Sequence, residues 1–346
     1  MKRQSLSDQV KRHSTEPIKE EKEYKGNFDT MISTGSTLLD LAISGGVVRN
    51  GGIPGGIFVE IFGPSGSGKT VLACEIAGDV QRKGGDIHFD DPEARLNKQF
   101  ARIFDLNTDE IAYDTPDKVT EVFENIRKWK PKGEGAINGC FVDSLAALST
   151  DIEMDNDDGD KMGMRRAKEF SEGFRKNARI LQNKNYLMVG TNQVRENQDA
   201  GKYGVKWQST GGKAIGFYAS LRLRATNPDK IKKTKTINGK KQDRVIGVET
   251  EFEVFKSSIW EPYHKAKVYI LFDYGIDDIR GNLQFIKDNT SNSTYSVNGV
   301  SLSNELEKAI LMIEEQGLEK KLKREVINLW NEIEDKFKTE RKSKQR

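Results

Sequence analysis

Between about residues 56 and 273 the apolar positions fall into short runs separated by polar and glycine-containing stretches, and the runs have two periods. Dense β-branched and aromatic runs at 57–62, 86–90, 139–143, 187–192, 219–225, 246–255 and 267–273 read as strands. Between the earlier ones, apolar residues at helical spacing predict helices over 69–83, 93–105, 117–130 and 162–184, with Leu72, Ile76 and Val80 marking the first. Alternating strands and helices predict a mainly parallel central sheet covered on both faces, an α/β class, and the later strands with a basic turn at 229–244 predict an antiparallel extension. Beyond about 300 the pattern changes to helical stripes, Leu306, Ile310 and Ile313 and then Val326, Leu329, Ile333 and Phe337, which predict a small C-terminal helical unit. Residues 1–28 hold few apolar positions, Leu6 and Val10 being the only pair at helical spacing, so they read as a polar arm or docking peptide. The resulting division is an N-terminal arm over 1–31, a core over 32–281 and a small domain with a basic tail over 282–346.

One motif converts this pattern into chemistry. Directly after the apolar run Ile57 to Phe62 comes Gly63-Pro64-Ser65-Gly66-Ser67-Gly68-Lys69-Thr70, a complete phosphate-loop pattern followed by the first predicted helix. Glycines let successive backbone N–H groups close around the β- and γ-phosphates of a nucleoside triphosphate, Lys69 adds a charge there, and Thr70 offers a hydroxyl to Mg²⁺. The helix that follows presents its positive end to the phosphates.

Composition narrows the setting. A chain of 346 residues, 35% hydrophobic and 32% charged, has room for a sizeable core and solvated ends. Two cysteines, Cys74 and Cys140, fall inside a predicted helix and a predicted strand and read as buried thiols in a reducing compartment. With neither a bilayer-length apolar stretch nor an apolar signal core, the expectation is a soluble cytoplasmic protein with no membrane partner. His13, His88 and His264 are scattered without metal-ligand spacing. The net charge of +3 says less than its placement: 151–160 is acidic, while 161–176, 230–244 and 336–346 are basic.

In open α/β sheets ligands sit at the carboxyl ends of strands. Gly139 to Asp143 is an apolar strand ending in an acid, which marks Asp143 as the carboxylate that orders Mg²⁺ beside the phosphate loop. A second strand ends in Asp90, Asp91 and Glu93, any of which can orient or deprotonate an attacking water, and the sequence does not choose among them. A third ends in Asn192-Gln193, where an uncharged amide can detect a γ-phosphate without repelling it. Two connections follow strand ends on the same edge. The first carries Lys161-Met162-Gly163-Met164-Arg165-Arg166, with Arg175 further along its basic block. The second carries Arg195, Lys202, Tyr203, Lys206, Trp207 and the turn Thr210-Gly211-Gly212-Lys213. Cations for phosphates, glycines for close approach and aromatic faces for stacking suit single-stranded nucleic acid.

These motifs, in order, resemble the RecA recombinases of bacteria and phages. The resemblance runs from about Ile32 to Gly281 and rests on Ile32-Ser33-Thr34-Gly35-Ser36 with Leu39-Asp40, the phosphate loop, Phe89 to Leu96, Phe141 to Leu148, Asn192 to Arg195, and Thr210 to Ala214 with Phe217-Tyr218-Ala219-Ser220. It implies a RecA-type ATPase core that uses ATP and Mg²⁺, with Glu93 as the water-activating glutamate, Gln193 as the γ-phosphate sensor, Phe100 stacked on adenine, and the two basic connections as DNA-binding loops. It implies protomers that polymerise on single-stranded DNA, pair it with a homologous duplex and exchange strands, aided by loading or single-strand-binding proteins. Lys256 matches the first of two family lysines that reach a neighbour's ATP, whereas Ser258 stands at the second. Lys213 replaces a usual asparagine, the first DNA loop matches poorly, the N-terminal arm lacks a clear apolar helix, and the tail is basic where many members are acidic. A RecA-fold ATPase of another class, such as a ring helicase or regulatory ATPase, and a weakly hydrolysing DNA-binding scaffold are the competing readings.

Overall fold

The protein is described by a computed structural model, which places residues 30–45, 50–133, 135–150, 162–196, 207–209 and 212–341. In chain order the elements begin β1 (Met31–Ile32), α1 (Thr37–Ser44), β2 (Ile53–Pro54), β3 (Phe58–Gly63), α2 (Lys69–Arg82), β4 (Ile87–Asp90), α3 (Lys98–Arg102), β5 (Ala112–Asp114) and α4 (Val119–Lys128). They continue with β6 (Asn138–Val142), α5 (Met162–Asn183), β7 (Tyr186–Glu196), β8 (Trp207–Ser209), α6 (Gly212–Tyr218), β9 (Leu221–Ala225), β10 (Asp229–Ile237) and β11 (Lys240–Ser257). The last are β12 (Lys265–Leu271), β13 (Gly275–Ile276), α7 (Asp278–Asn289), β14 (Tyr295–Val297), β15 (Val300–Ser303), α8 (Leu306–Glu315) and α9 (Glu319–Phe337).

The main sheet runs β13-β12-β11-β9-β3-β7-β6-β4-β5. Its half from β9 to β5 is parallel, and β11, β12 and β13 extend it antiparallel. Burial on both faces explains why the parallel strands read as continuous apolar runs. Along β3 and β7 the period of two sends Val59, Ile61, Leu187 and Val189 to a core shared with Leu72, Ile76 and Val80 of α2. It sends Phe58, Tyr186 and Met188 to the other face, against Val122, Phe123 and Ile126 of α4 and Phe170 and Phe174 of α5. A third cluster joins Leu283, Ile286, Tyr295, Val297, Ile313, Val326 and Trp330 to Leu41 of α1.

Three expectations change. The helix predicted over 93–105 shrinks to α3, because Ala94 takes a left-handed φ of 50° and the Asp91 carboxylate captures the Leu96 amide at 2.7 Å. Asn97 then caps α3 by accepting from the Phe100 amide at 2.9 Å. The basic turn at 229–244 is a long hairpin, β10 against β11, closed at Asn238 and Gly239 with φ of 51° and 75°. Asn-Gly supplies the two positive φ angles that a tight hairpin needs, a signal present in the sequence but masked by the run of lysines. The strand predicted over 219–225 begins only at Leu221, after helix α6 ends with Phe217 and Tyr218. Among the described residues no helix is long and apolar enough to cross a membrane.

Candidate nucleotide site and its strand ends

The phosphate loop leaves β3 at Gly63, where a Cβ would stand 2.7 Å from the Ala225 carbonyl oxygen, so β3 and the end of β9 approach closely only because the residue is glycine. Gly66 and Gly68 take φ of 73° and 82°, conformations that glycine adopts without strain, and α2 begins at once with Lys69. The Lys69 ammonium donates to the carbonyls of Gly63 at 3.1 Å and Pro64 at 2.7 Å. Burial lowers the pKa of Lys69, and the charges of Asp143 and Glu93 act the other way. The loop, its lysine and the helix end are an anion cradle.

Asp143 follows the end of β6, and its carboxylate accepts from the Thr191 hydroxyl and lies near enough to the Thr70 hydroxyl for it to lower the carboxyl pKa. Burial raises its pKa, the two hydroxyls lower it, and the charges of Asp91 and Glu93 raise it. The phosphate-loop hydroxyl and the strand-end carboxylate predicted for a cation are thus brought to the same place. Oxygen donors of this kind suit Mg²⁺, which takes one or two carboxylates together with phosphates and water.

The three acids left open by the sequence separate in space. Asp91 holds the local loop, accepting from the Leu96 amide and from the Tyr113 hydroxyl at 2.9 Å. Asp90 is buried and accepts from the side-chain amide of Asn125 on α4 at 2.8 Å. Glu93 alone reaches the phosphate-loop side: its Oε1 accepts from Ser144 Oγ at 2.7 Å, beside Asp143, and its Oε2 pairs with Arg95 at 2.7 Å.

Gln193 stands opposite Gly63 in the parallel β3–β7 register, at the mouth of the loop. The preceding Asn192 donates to Glu60 Oε1 at 2.9 Å, and Arg222 Nε donates to Glu60 Oε2 at 2.6 Å. This buried belt ties β7, β3 and β9 together beneath the site. Sequence reasoning missed it, as it missed Ser144 and Thr191, although a charge inside the apolar run Phe58 to Phe62 was the available signal. Beside the loop, Gly63, Pro64, Val194, Arg224, Thr226 and Asn227 line a cleft of about 230 Å³.

Phe100 is half-buried, edge-on to Phe104 with ring centres 4.9 Å apart. Lys256 is not brought to the phosphate loop of its own chain. It lies on β11, two strands from β3, opposite Arg222 of β9, and donates to the carbonyls of Gly216 and Phe217 at 3.0 and 2.9 Å. Of the nucleic-acid candidates, Lys161, Lys202, Tyr203, Lys206, Thr210 and Gly211 lie outside the described residues. Met162, Gly163, Arg195, Trp207 and Gly212 are placed by their backbone, while Met164 is 75% exposed. Arg165 and Arg166 lie in the first turn of α5, and Arg166 donates to the Ala146 carbonyl at 3.4 Å. Arg175 is exposed about 15 Å further along the same helix. Lys213 is exposed on α6. After Gln193, β7 continues to Glu196, and β8 folds back on it with Val194 opposite Ser209 and Glu196 opposite Trp207.

A strand, glycine-rich loop and helix, with a carboxylate at the end of β6 one strand beyond the adjacent β7, define a phosphate-loop nucleotide-binding α/β protein. The family described as RecA N-terminal domain matches residues 5–277. The chain belongs to the RecA family. It is 35% identical to Protein RecA of Delftia acidovorans over 250 residues, 71% of this chain and 63% of that relative. Protein RecA of Campylobacter jejuni subsp. doylei is 35% identical over 248 residues, 71% of this chain and 67% of the relative. Protein RecA of Ehrlichia canis is 34% identical over 285 residues, 80% and 74% of the two chains. The match to the Delftia protein thus spans less than two thirds of that protein's length.

Proposed function

We propose that this chain is an ATP-dependent homologous recombinase that forms helical filaments on single-stranded DNA, pairs that strand with a homologous duplex and hydrolyses ATP in a DNA-dependent way. The observation that carries the reading is the continuity of β7. Gln193 stands beside Gly63 at one point of the strand, and the same strand three residues on is laced to Trp207 of the second basic connection. A contact made at Gln193 is therefore transmitted along one hydrogen-bonded ladder to the loop assigned to DNA, so ATP and DNA each strengthen binding of the other.

The site residues fit MgATP, which supplies the phosphoanhydride bond to be cleaved. The loop amides of Gly63 to Thr70 and the Lys69 ammonium hold the phosphates, and Thr70 with Asp143 holds Mg²⁺. Glu93 takes the proton of the attacking water on its carboxylate, Gln193 senses the γ-phosphate, and Phe100 lies against the adenine. Lys256, facing away from its own loop, serves the nucleotide of a neighbouring copy. Lys161, Met162, Gly163, Met164, Arg165, Arg166 and Arg175 contact DNA on one side, and Arg195, Lys202, Tyr203, Lys206, Trp207 and Thr210 to Lys213 on the other. Loading or single-strand-binding proteins complete the partners, and the cytoplasm is the compartment.

ATP turnover with and without single-stranded DNA, with Lys69→Ala as control, tests this reading. DNA should stimulate turnover. A Glu93→Gln variant should lose it by about 10²–10⁴-fold while still binding DNA in the presence of a slowly hydrolysed ATP analogue. Nucleotide-dependent DNA binding without stimulated turnover would move the reading to a scaffold, and unchanged turnover in Glu93→Gln would remove the glutamate from its role.

A further inference from the structure

The face of β4 opposite the first core gathers three side chains that the nucleotide site does not use. Ile87 and Phe89 point into the core against α2, so the period of two turns His88 and Asp90 toward α4. The parallel register then sets Asp114, at the end of β5, opposite Asp90. His88 Nε2 lies 3.2 Å from Asp90 Oδ1 and 3.6 Å from Asp114 Oδ2, and one ligating atom of each residue lies within 4.8 Å of the others.

Those separations fit a cation. Four-coordinate Zn²⁺ holds imidazole nitrogen and carboxylate oxygen at about 2.0–2.2 Å, which places neighbouring ligand atoms roughly 3.3–3.5 Å apart in a tetrahedron. Two independent observations support it. Asp90 is 1% exposed, yet its Oδ2 is buried without a hydrogen-bond partner. Two carboxylates also stand side by side, and among the described residues neither is paired with a lysine or arginine. Asn125 donates to Asp90 Oδ1 at 2.8 Å, the kind of outer hydrogen bond that orients a ligand. The Trp129 ring, centred 5.7 Å from the imidazole, walls the inner side, while the Asp114 side chain is 56% exposed and gives an ion its entry. Burial raises the Asp90 carboxyl pKa; contacts with His88 and Asn125 lower it, and the Asp114 charge raises it.

We propose that His88, Asp90 and Asp114 form a binding site for a divalent transition metal of the Zn²⁺ class, with solvent as the fourth ligand. An imidazole donor selects such ions over Mg²⁺. The bound ion clamps the end of β5 to the end of β4, immediately before the loop that carries Asp91 and Glu93.

Full-length protein stripped with a chelator and held in excess Mg²⁺ is titrated with Co²⁺, followed by its visible absorption, and then with Zn²⁺ in competition. Wild type should take up one equivalent with the absorption of a four-coordinate N/O site, and Zn²⁺ should displace it and raise Tm. Asp114→Asn, at an exposed position where the fold is retained, should weaken that equivalent about tenfold or more, and His88→Gln should remove it. If His88→Gln does not fold, Asp114→Asn decides alone. Absence of a saturable equivalent, binding unchanged in Asp114→Asn, or a Tm that responds to pH but not to Zn²⁺ would overturn the site in favour of an imidazolium held between two carboxylates.

Discussion

The two halves of the main sheet keep a buried carboxylate in different ways. In the parallel half, Glu60 at the middle of β3 is fully buried and meets the Arg222 guanidinium, which also lies 4.4 Å over the Phe62 ring. In the antiparallel half, Asp40 of α1, the helix packed on β12, is as deeply buried but is held by Ser33 Oγ, the Thr34 amide and Thr34 Oγ1. Burial pushes the Asp40 pKa up to about 6, the three donors pull it down, and the charge of Lys323 contributes less. An oppositely charged group at hydrogen-bond distance offsets the desolvation of a carboxylate; hydroxyls and an amide offset it only in part. The floor of the nucleotide site is therefore built on a charge pair, and the covering helix on a carboxyl that changes state near neutral pH.

The largest test of that contrast is Glu60→Ala. It removes the buried carboxylate that accepts from Arg222, 14% exposed, and from Asn192, and should cost about 3–5 kcal/mol in unfolding free energy measured with denaturant. Replacing both residues by leucine should recover most of the loss, and a single-variant cost below about 1 kcal/mol would dissolve the contrast.

Asp40 gives the next effect, through pH. Its carboxyl titrates at 3.8 when unfolded and at about 6 when folded. As pH rises from about 4 to 6 the unfolded chain releases the proton first, so the stability that the protonated group contributes at low pH declines. By linkage about 3 kcal/mol is gone above pH 6. The stability difference between wild type and Asp40→Asn, followed from pH 4 to pH 7, should slope in that direction, and a flat difference would place the charge elsewhere.

The smallest effect belongs to the β10–β11 hairpin. Lys232 and Lys233 are exposed, and the hairpin is held by its backbone ladder, so Lys232→Ala with Lys233→Ala should shift stability by no more than about 0.5 kcal/mol in thermal unfolding. A larger loss would mean that this arm is packed rather than solvated.

Much of the parallel half was legible because its signals are local. Strand runs, the phosphate loop and the helix starting at Lys69 were placed to within a residue or two, except that β7 runs four residues past its predicted end, since a period of two or four and a glycine pattern depend on near neighbours. Asp143 was legible as the acid that ends an apolar run. The helix over 93–105 was overestimated because the Asp91 carboxylate and the left-handed Ala94 break a pattern that apolar spacing alone supports. The hairpin was hidden because charge outweighed the Asn238-Gly239 turn signal. The short strands β5, β8, β14 and β15, of three or four residues each with few apolar positions, carry too little periodicity to be seen.

The sequence by itself determined that the chain holds a nucleotide phosphate loop, that strands and helices alternate around it, and that acids and an amide end the strands beside it. Each of those facts rests on a few consecutive residues and the sterics of their backbone. Only the tertiary structure decided which acid faces Ser144, that Gln193 stands beside Gly63, that Lys256 faces away from its own loop, and that His88 meets two aspartates. The Glu60 belt shows the reason: its two hydrogen bonds join residues 132 and 162 positions apart, and strand register, set by packing across the whole sheet, is what brings them together.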